Sequence, residues 1–372
     1  MPSGQRTRIL IVDDSAVMRS LLRAVISADA NLEVVGTAVE GESALSAIET
    51  LCPDLVLLDV EMPVMDGLVT LRQLRARGHR IPVIMCSSLT QRGAKVTIEA
   101  LACGASDYVT KPAGQSSREA SMRALSQDLI PKIYALTSHL QAALPGAGRA
   151  PLLAPMAPFI AAPILSTPTA LVIGVSTGGP AALDILLPEL PANFPIPVLV
   201  VQHMPELFTK LLAERLNGRC SLQVREGVEG DQVRAGAVYI AKGNWHMEVQ
   251  PGARMGLSAT LRLNQGAPEN HCRPAVDVLF RSAAAVYGAG VLAVVLTGMG
   301  SDGMLGARLI REHGGSVLAQ DQASSTVWGM PGAVAAAGLA HKILPLNAIV
   351  PEILRLAGRT HTETQELREA VV

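Results

Sequence analysis

The chain predicts an α/β protein of two domains, each a doubly wound parallel sheet, joined by a linker rich in Pro and Ala. Three observations carry that expectation. Between Arg8 and about His139, apolar strand-like runs alternate five times with segments of helical spacing. The alternation resumes from Ala170 to about Gly358. Between them lies AALPGAGRAPLLAPMAPFIAAPILSTP, where Pro, Ala and Gly dominate. The expected boundaries are 1–140 for the first domain, 141–168 for the linker, 169–358 for the second domain and 359–372 for a polar tail. A second reading of the linker is a packed apolar arm, because Leu152, Leu153, Met156, Phe159 and Ile160 are apolar.

The elements of the first domain follow in order. RILIV reads as a strand and SAVMRSLLRAVISA as a helix. LEVVGTAV is a strand and GESALSAIETL a helix; DLVLLD is a strand and DGLVTLRQLRARG a helix. IPVIMCS, QRGAKVTIEALACG, SDYVT and SREASMRALSQDLIPKIYAL continue the pattern. In the second domain LVIGV, PVLVVQ, VYIAK, LAVVLTG and GSVLAQ read as strands. PELFTKLLAERL and RPAVDVLFRSAAAVY read as helices. HMEVQPGARMGLSATLRL suggests a hairpin.

Composition narrows the class. The 372 residues are 49% hydrophobic and 17% charged, with net charge -1, which excludes a broadly basic nucleic-acid binder. Aromatics are only 3%, so the cores are built from aliphatic residues and Met. Cys52, Cys86, Cys103, Cys220 and Cys272 are scattered and lack CxxC spacing, which reads as reduced thiols in a cytosolic protein. The first apolar run is cut off by two aspartates, so no signal peptide is expected, and no segment is long enough to span a bilayer.

Strand ends of a parallel sheet share one edge, where such folds carry their sites. In the first domain that edge collects Asp13, Asp14, Asp59, Ser87 and Lys111. Clustered carboxylates repel unless a cation shares them, and a hard ion such as Mg2+ fits oxygen ligands. A carboxylate beside it can attack phosphorus and form an acyl phosphate. Lys111 can pair with the phosphoryl oxygens and Ser87 can hydrogen-bond one. Singly, Asp14 or Ser15 reads as a helix cap and Lys111-Pro112 as a turn.

IVDDS, LLDVEMPVMDGL, IMCSSLT and YVTKP resemble the receiver domain of bacterial response regulators. The resemblance implies Asp59 as phosphoacceptor, Asp13, Asp14 and Asp59 around Mg2+, and Ser87 and Lys111 as the phosphoryl-sensing pair. It also implies a histidine kinase as phosphodonor.

The second domain opens on LVIGVSTGGPAAL, where Ser176 has three readings: nucleophile, helix cap or lip of a phosphate loop. A dinucleotide loop needs glycine where Ser176 stands, and an acid after the next strand. That strand ends in Gln202 and His203 instead. Gly174-Val175-Ser176-Thr177-Gly178 has the G-x-S-x-G form of a nucleophile elbow. His203 falls at the next strand end as a base, and Asp302, after LAVVLTGMGS, could orient it. Asp184, Asp231, Asp277 and Asp321 compete for that role, and Asp302 could instead cap the helix DGMLGARLI. The order Ser, His, Asp separates the chain from α/β-hydrolases.

IGVSTGGP, VVQHMPELFT, VYIAKGNWHM, CRPAVDVLF, LTGMGSDG and AQDQASSTVWGMPGAV resemble the catalytic domain of chemotaxis protein-glutamate methylesterases, the CheB family. The resemblance implies Ser176 as nucleophile, His203 as general base and Asp302 as orienting carboxylate. It implies γ-glutamyl methyl esters on the cytoplasmic helices of chemoreceptors as substrate, and deamidation of receptor glutamines as well. Thr177, Gly178 and Met299 are the candidate oxyanion donors, an inference from their place at a helix start and in a glycine-rich loop. No cofactor is expected in this domain; His246, His271 and Cys272 make no convincing zinc set, and Arg273 reads either as a site or as a structural residue. The family resemblance further implies that the unphosphorylated receiver blocks the catalytic face until Asp59 is phosphorylated. It places the protein in the cytoplasm, with no nucleic-acid partner and no membrane insertion. Two other classes compete: a phosphorylation-switched binding module that has lost catalysis, and a DNA-binding regulator. All three candidate catalytic residues being present argues against the first. The strand-rich output segment lacks a clustered basic helix, which argues against the second.

Overall fold

A computed structural model describes residues 6–112, 117–142, 166–252 and 259–358 of the chain, with side chains omitted from 138 to 142. The chain divides into two units, Met1–Ala150 and Pro151–Val372.

In the first unit the apolar runs become strands β1 (Thr7–Val12), β2 (Leu32–Ala38), β3 (Leu55–Asp59), β4 (Val83–Ser87) and β5 (Asp107–Thr110). They form one parallel sheet in the order β2-β1-β3-β4-β5. The order reverses at β1, which opens a crevice at its carboxyl end. Residues of β3 and β4 are all buried, as a strand covered on both faces requires. Polar caps start the intervening helices: Ser15 accepts from the Met18 N–H, Asp66 from Val69 and Thr90 from Gly93. The serine after the aspartate pair is therefore the cap, and Asp14 is not.

The last helix of this unit spans Arg118–Ala142 with Pro131 inside it. The proline does not end it, so the helix enters the segment expected as linker. The rest of that segment to 165, and the tail from 359, lie outside the described residues.

The described residues of the second unit form ten strands: β6 (Ala170–Val175), β7 (Val198–Gln202), β8 (Gln223–Glu226), β9 (Gln232–Val233), β10 (Ala237–Ile240), β11 (His246–Pro251), β12 (Ala259–Asn264), β13 (Val291–Val295), β14 (Ser316–Gln320) and β15 (Lys342–Leu344). Seven form a parallel sheet in the order β15-β14-β13-β6-β7-β10-β8. The order reverses at β6, whose neighbours are β13 and β7. The expected hairpin is β11–β12, and β9 joins it in a small antiparallel sheet. Strands β8, β9 and β15 were not legible in the sequence. They are short, lie at sheet margins and carry polar residues such as Gln223, Gln232 and Lys342. The core gathers Val172, Leu199, Tyr239, Leu279, Phe280 and Val295 around the central strands. No described helix is long and apolar enough to cross a membrane.

Candidate active site and acidic pocket

The carboxyl edge of the first sheet brings Asp13, Asp59, Ser87 and Lys111 together. The Lys111 ammonium lies 2.8 Å from Asp13 Oδ2 and 2.7 Å from Asp59 Oδ2. Its backbone N–H donates to the Ser87 carbonyl, 2.7 Å away, which ties the end of β5 to the end of β4. Ser87 is buried, and its hydroxyl donates to the Ser88 carbonyl. Arg19 donates to the carbonyls of Asp13 and Asp14 and fixes that turn.

Asp13, Asp14 and Asp59 offer carboxylate oxygens within 4.8 Å of one another, the sole grouping with metal-ligand spacing among the described residues. Two observations test its fit for a divalent cation. Asp13 Oδ2 is buried and receives no hydrogen bond of regular geometry, leaving only the Lys111 charge against it. Burial pushes the Asp59 carboxyl up to about 6, despite the pull of Lys111. Lys111 itself is opposed by burial, yet its bonds to Asp13 and Asp59 raise its pKa. The pocket thus holds more negative charge than one ammonium offsets, which suits a hard cation with oxygen ligands.

In the second unit the elbow is built by two glycines. A Cβ on Gly174 would meet Val276 Cγ1 at 2.3 Å; one on Gly178 would meet Thr326 Oγ1 at 2.4 Å. Gly178 has φ +76, a left-handed conformation that favours glycine. It, and not Ser176, is the N-cap of the helix Gly179–Leu186. Ser176 contributes only its carbonyl, which accepts from the Gly179 N–H at 2.8 Å. The cap reading of its hydroxyl is therefore set aside: Ser176 Oγ is engaged by no hydrogen bond among the described residues.

The β6–β7 ladder pairs Gly174 with Val201 and Val175 with Gln202, so the next step places Ser176 opposite His203. The His203 N–H donates to the Val175 carbonyl at 3.2 Å. No hydrogen bond joins Ser176 Oγ to the His203 ring. The ring is instead bonded through Nε2 to Asp302 Oδ2 at 2.8 Å.

Asp302 is buried and saturated with donors. Oδ2 also accepts from the Val276 N–H at 2.7 Å; Oδ1 accepts from the N–H groups of Asp277 at 3.0 Å and Gly303 at 2.9 Å. Asp302 thus caps the helix Val276–Tyr287, and not the helix Met304–Glu312 that follows it, whose N-cap is Gly303. Burial alone would raise the Asp302 pKa. The bond to His203 and the two helix N–H groups outweigh it and hold the carboxyl below its usual value. Burial likewise opposes the His203 imidazolium, but Asp302 and the nearby Cys272 thiol push its pKa up to about 9.

The competing carboxylates are engaged elsewhere. Asp184 pairs with Arg215 and Arg219, Asp231 with Arg225, and Asp321 accepts from Ser324. Asp277 adjoins Asp302 without touching His203. His246 accepts from the Ala275 N–H and bonds the Ala267 carbonyl, a structural use of both nitrogens. Arg273 ties Asn244 to the carbonyls of Gln265 and Gly266.

The oxyanion candidates surround the elbow. Neither the Gly178 nor the Met299 N–H donates to a backbone carbonyl among the described residues. The Thr177 carbonyl is held by Thr297 Oγ1 at 2.9 Å. A Cβ on Gly298, the residue before Met299, would meet Ser176 Cβ at 2.8 Å, so only glycine lets this loop approach the serine.

Sequence reading missed the supports. Gln202 is buried, and its Nε2 donates to the Ser176 carbonyl at 2.9 Å. Gln320 accepts from the Thr297 N–H at 2.8 Å, and Trp328 donates to the Gln320 carbonyl. The signal for Gln202 and Gln320 was a glutamine ending a run of apolar residues in a fully buried strand.

The chain is similar to known proteins over most of its length. A family model described as CheB methylesterase matches residues 171–353, and one described as response regulator receiver domain matches residues 9–122. The chain is 53% identical over 354 residues to a protein-glutamate methylesterase/protein-glutamine glutaminase of Nocardioides sp., covering 95% of this chain and 96% of that one. It is 48% identical over 352 residues to a protein of the same description from Trichodesmium erythraeum, covering 94% and 99%.

Proposed function

The chain belongs to the CheB methylesterase family, with a receiver domain ahead of the esterase, and from that premise we infer that Ser176, His203 and Asp302 carry its hydrolytic chemistry. It is a protein-glutamate methylesterase and protein-glutamine glutaminase of the chemotaxis-adaptation type. Its substrates are receptors, and its receiver takes a phosphoryl group from a kinase. The observation that carries the site assignment is the bond between His203 and an Asp302 held by a helix N-terminus, beside an unengaged serine hydroxyl.

The finer mechanism follows from the atoms. Asp302 occupies His203 Nε2, which leaves Nδ1 as the base. Ser176 Oγ attacks the γ-carbonyl of a methylated glutamate on a receptor's cytoplasmic helix while Nδ1 takes the hydroxyl proton. The N–H groups of Gly178 and Met299, with Thr177 beside them, stabilise the oxyanion. The carbonyl re-forms and the C–O bond to methoxide breaks; His203 returns its proton, and methanol leaves. Water, deprotonated by His203, then attacks the acyl-serine, releasing glutamate and restoring Ser176. With glutamine the leaving group is ammonia.

In the receiver, Asp59 accepts the phosphoryl group from a phosphorylated histidine kinase. Asp13, Asp14 and Asp59 would hold Mg2+, whose charge offsets the phosphoryl oxygens. Lys111 pairs with those oxygens, and Ser87 exchanges its bond to the Ser88 carbonyl for one of them. Phosphorylation raises esterase activity in the cytoplasmic enzyme.

Methanol release from methylated receptor, measured with and without phosphodonor, tests this reading. Wild type is expected to acquire labelled phosphate in Mg2+ and to release methanol faster. Asp59→Asn is expected to stay unlabelled and at the basal rate, as is wild type in excess EDTA. Equal labelling of Asp59→Asn would overturn the assignment of Asp59.

A further inference from the structure

Behind the Ser-His-Asp site lies a second buried carboxylate that the mechanism does not use. Asp277 Oδ1 accepts from the Gly306 N–H at 2.7 Å, in the first turn of the helix Met304–Glu312. Asp302 in turn accepts from the first N–H groups of the helix that bears Asp277. The two carboxylates therefore cap each other's helices. The contact is close: a Cβ on Gly306 would meet Phe280 Cβ at 2.4 Å.

One side chain joins the pair. Asn270 Nδ2 donates to Asp302 Oδ1 at 2.9 Å and to Asp277 Oδ2 at 2.9 Å. A carboxamide nitrogen carries two hydrogens, one for each carboxylate, and its oxygen could serve neither. Asn270 has φ +51, a conformation that Asn tolerates better than most residues. Besides the His203 ring, it is the one side-chain nitrogen that hydrogen-bonds Asp302 among the described residues.

We propose that Asn270 and Asp277 are positioning residues for the esterase reaction: together they hold Asp302 so that Oδ2 faces His203, and the Asp277 charge sets the pH at which His203 becomes a base. The proposal rests on the assignment of Ser176, His203 and Asp302 above. Two like charges this close favour separation or protonation, and the Asn270 bridge opposes the separation. Burial pushes the Asp277 carboxyl up to about 6, with the Asp302 charge adding to it. Asp277 is thus ionised over the range in which His203 loses its proton. The charged and titratable groups facing the pair are His203 and Cys272 on one side and Arg281 on the helix of Asp277, the last paired with Glu269. A negative charge favours the imidazolium, so removing the Asp277 charge lowers the His203 pKa.

The test uses the full chain and methanol release from methylated receptor across pH, with Ser176→Ala run alongside. Loss of activity in Ser176→Ala secures the underlying assignment independently. Asn270→Gly keeps the backbone conformation and deletes the bridge. It is expected to lower kcat about tenfold at unchanged KM, with a lower thermal midpoint in a chain that stays folded at the assay temperature. Asn270→Asp is expected to fall further behind wild type as pH rises, because an ionised third carboxylate repels the pair. Asp277→Asn keeps an acceptor for Gly306 and is expected to move the rising limb of kcat/KM to lower pH by about half a unit. Should Asn270→Gly unfold, the Asp277→Asn profile decides alone. An Asp277→Asn profile superimposed on wild type, or wild-type kcat in a folded Asn270→Gly, would overturn the proposal.

Discussion

Replacing Ser176 by alanine is expected to lower methanol release from methylated receptor by about 10⁴-fold or more, with the fold intact. The size follows from the role: the variant deletes the hydroxyl of the elbow residue that the strand register places opposite His203. The fold should survive because Ser176 Oγ makes no hydrogen bond, and the contacts that hold the residue are backbone ones, from Gly179 and Gln202 to its carbonyl and from its N–H to Thr297. Circular dichroism and thermal melting check the fold; a methanol assay checks the rate. The same loss should apply to glutamine deamidation, since both reactions pass through one acyl-serine. A variant that lost esterase activity yet kept deamidase activity would separate the two chemistries.

Asp302→Asn carries the second large effect, also about 10⁴-fold in kcat. An asparagine in place of the carboxylate cannot accept all the donors now aimed at it, and it releases the His203 tautomer. The pH dependence adds a directional check. His203 is raised from 6.5 to about 9 by Asp302 and Cys272 against burial. The stability from this raised pKa is fully present below 6.5 and is lost as pH rises through about 9. Catalysis runs the other way, because only the neutral ring is a base. Wild-type kcat/KM should therefore rise with pH across the window in which the fold loses this contribution. In Asp302→Asn the residual rate should rise at lower pH, since the carboxylate no longer holds the proton on the ring.

The strand ends that carry Asp59, Ser176 and His203 were legible because apolar runs of strand length mark them, and parallel pairing puts such ends on one edge. The pairing of Asp302 with His203 was legible only through its place after an apolar strand and its resemblance to a family. Its second use was hidden: the helix it caps starts at Val276, far back in the chain, and capping across such a separation leaves no local pattern. Asn270 was illegible for the same reason, being an exposed loop residue whose partners come from two helices' starts. Of the three readings of Ser176, the structure removes the cap. A serine before Gly-Gly-Pro suggests one, but the positive φ of Gly178 hands that position to glycine and leaves the hydroxyl unengaged. The edge strands failed for lack of apolar residues to mark them.

The central claim is that Ser176 forms the acyl intermediate. Rapid acid quench of wild-type enzyme turning over a methyl ester substrate, followed by peptide mass spectrometry, tests it directly. An acyl adduct on the peptide bearing Ser176, appearing within the first turnover and absent from Ser176→Ala, is the expected result. Sustained methanol release with the adduct on another residue, or with undiminished rate in Ser176→Ala, would contradict it.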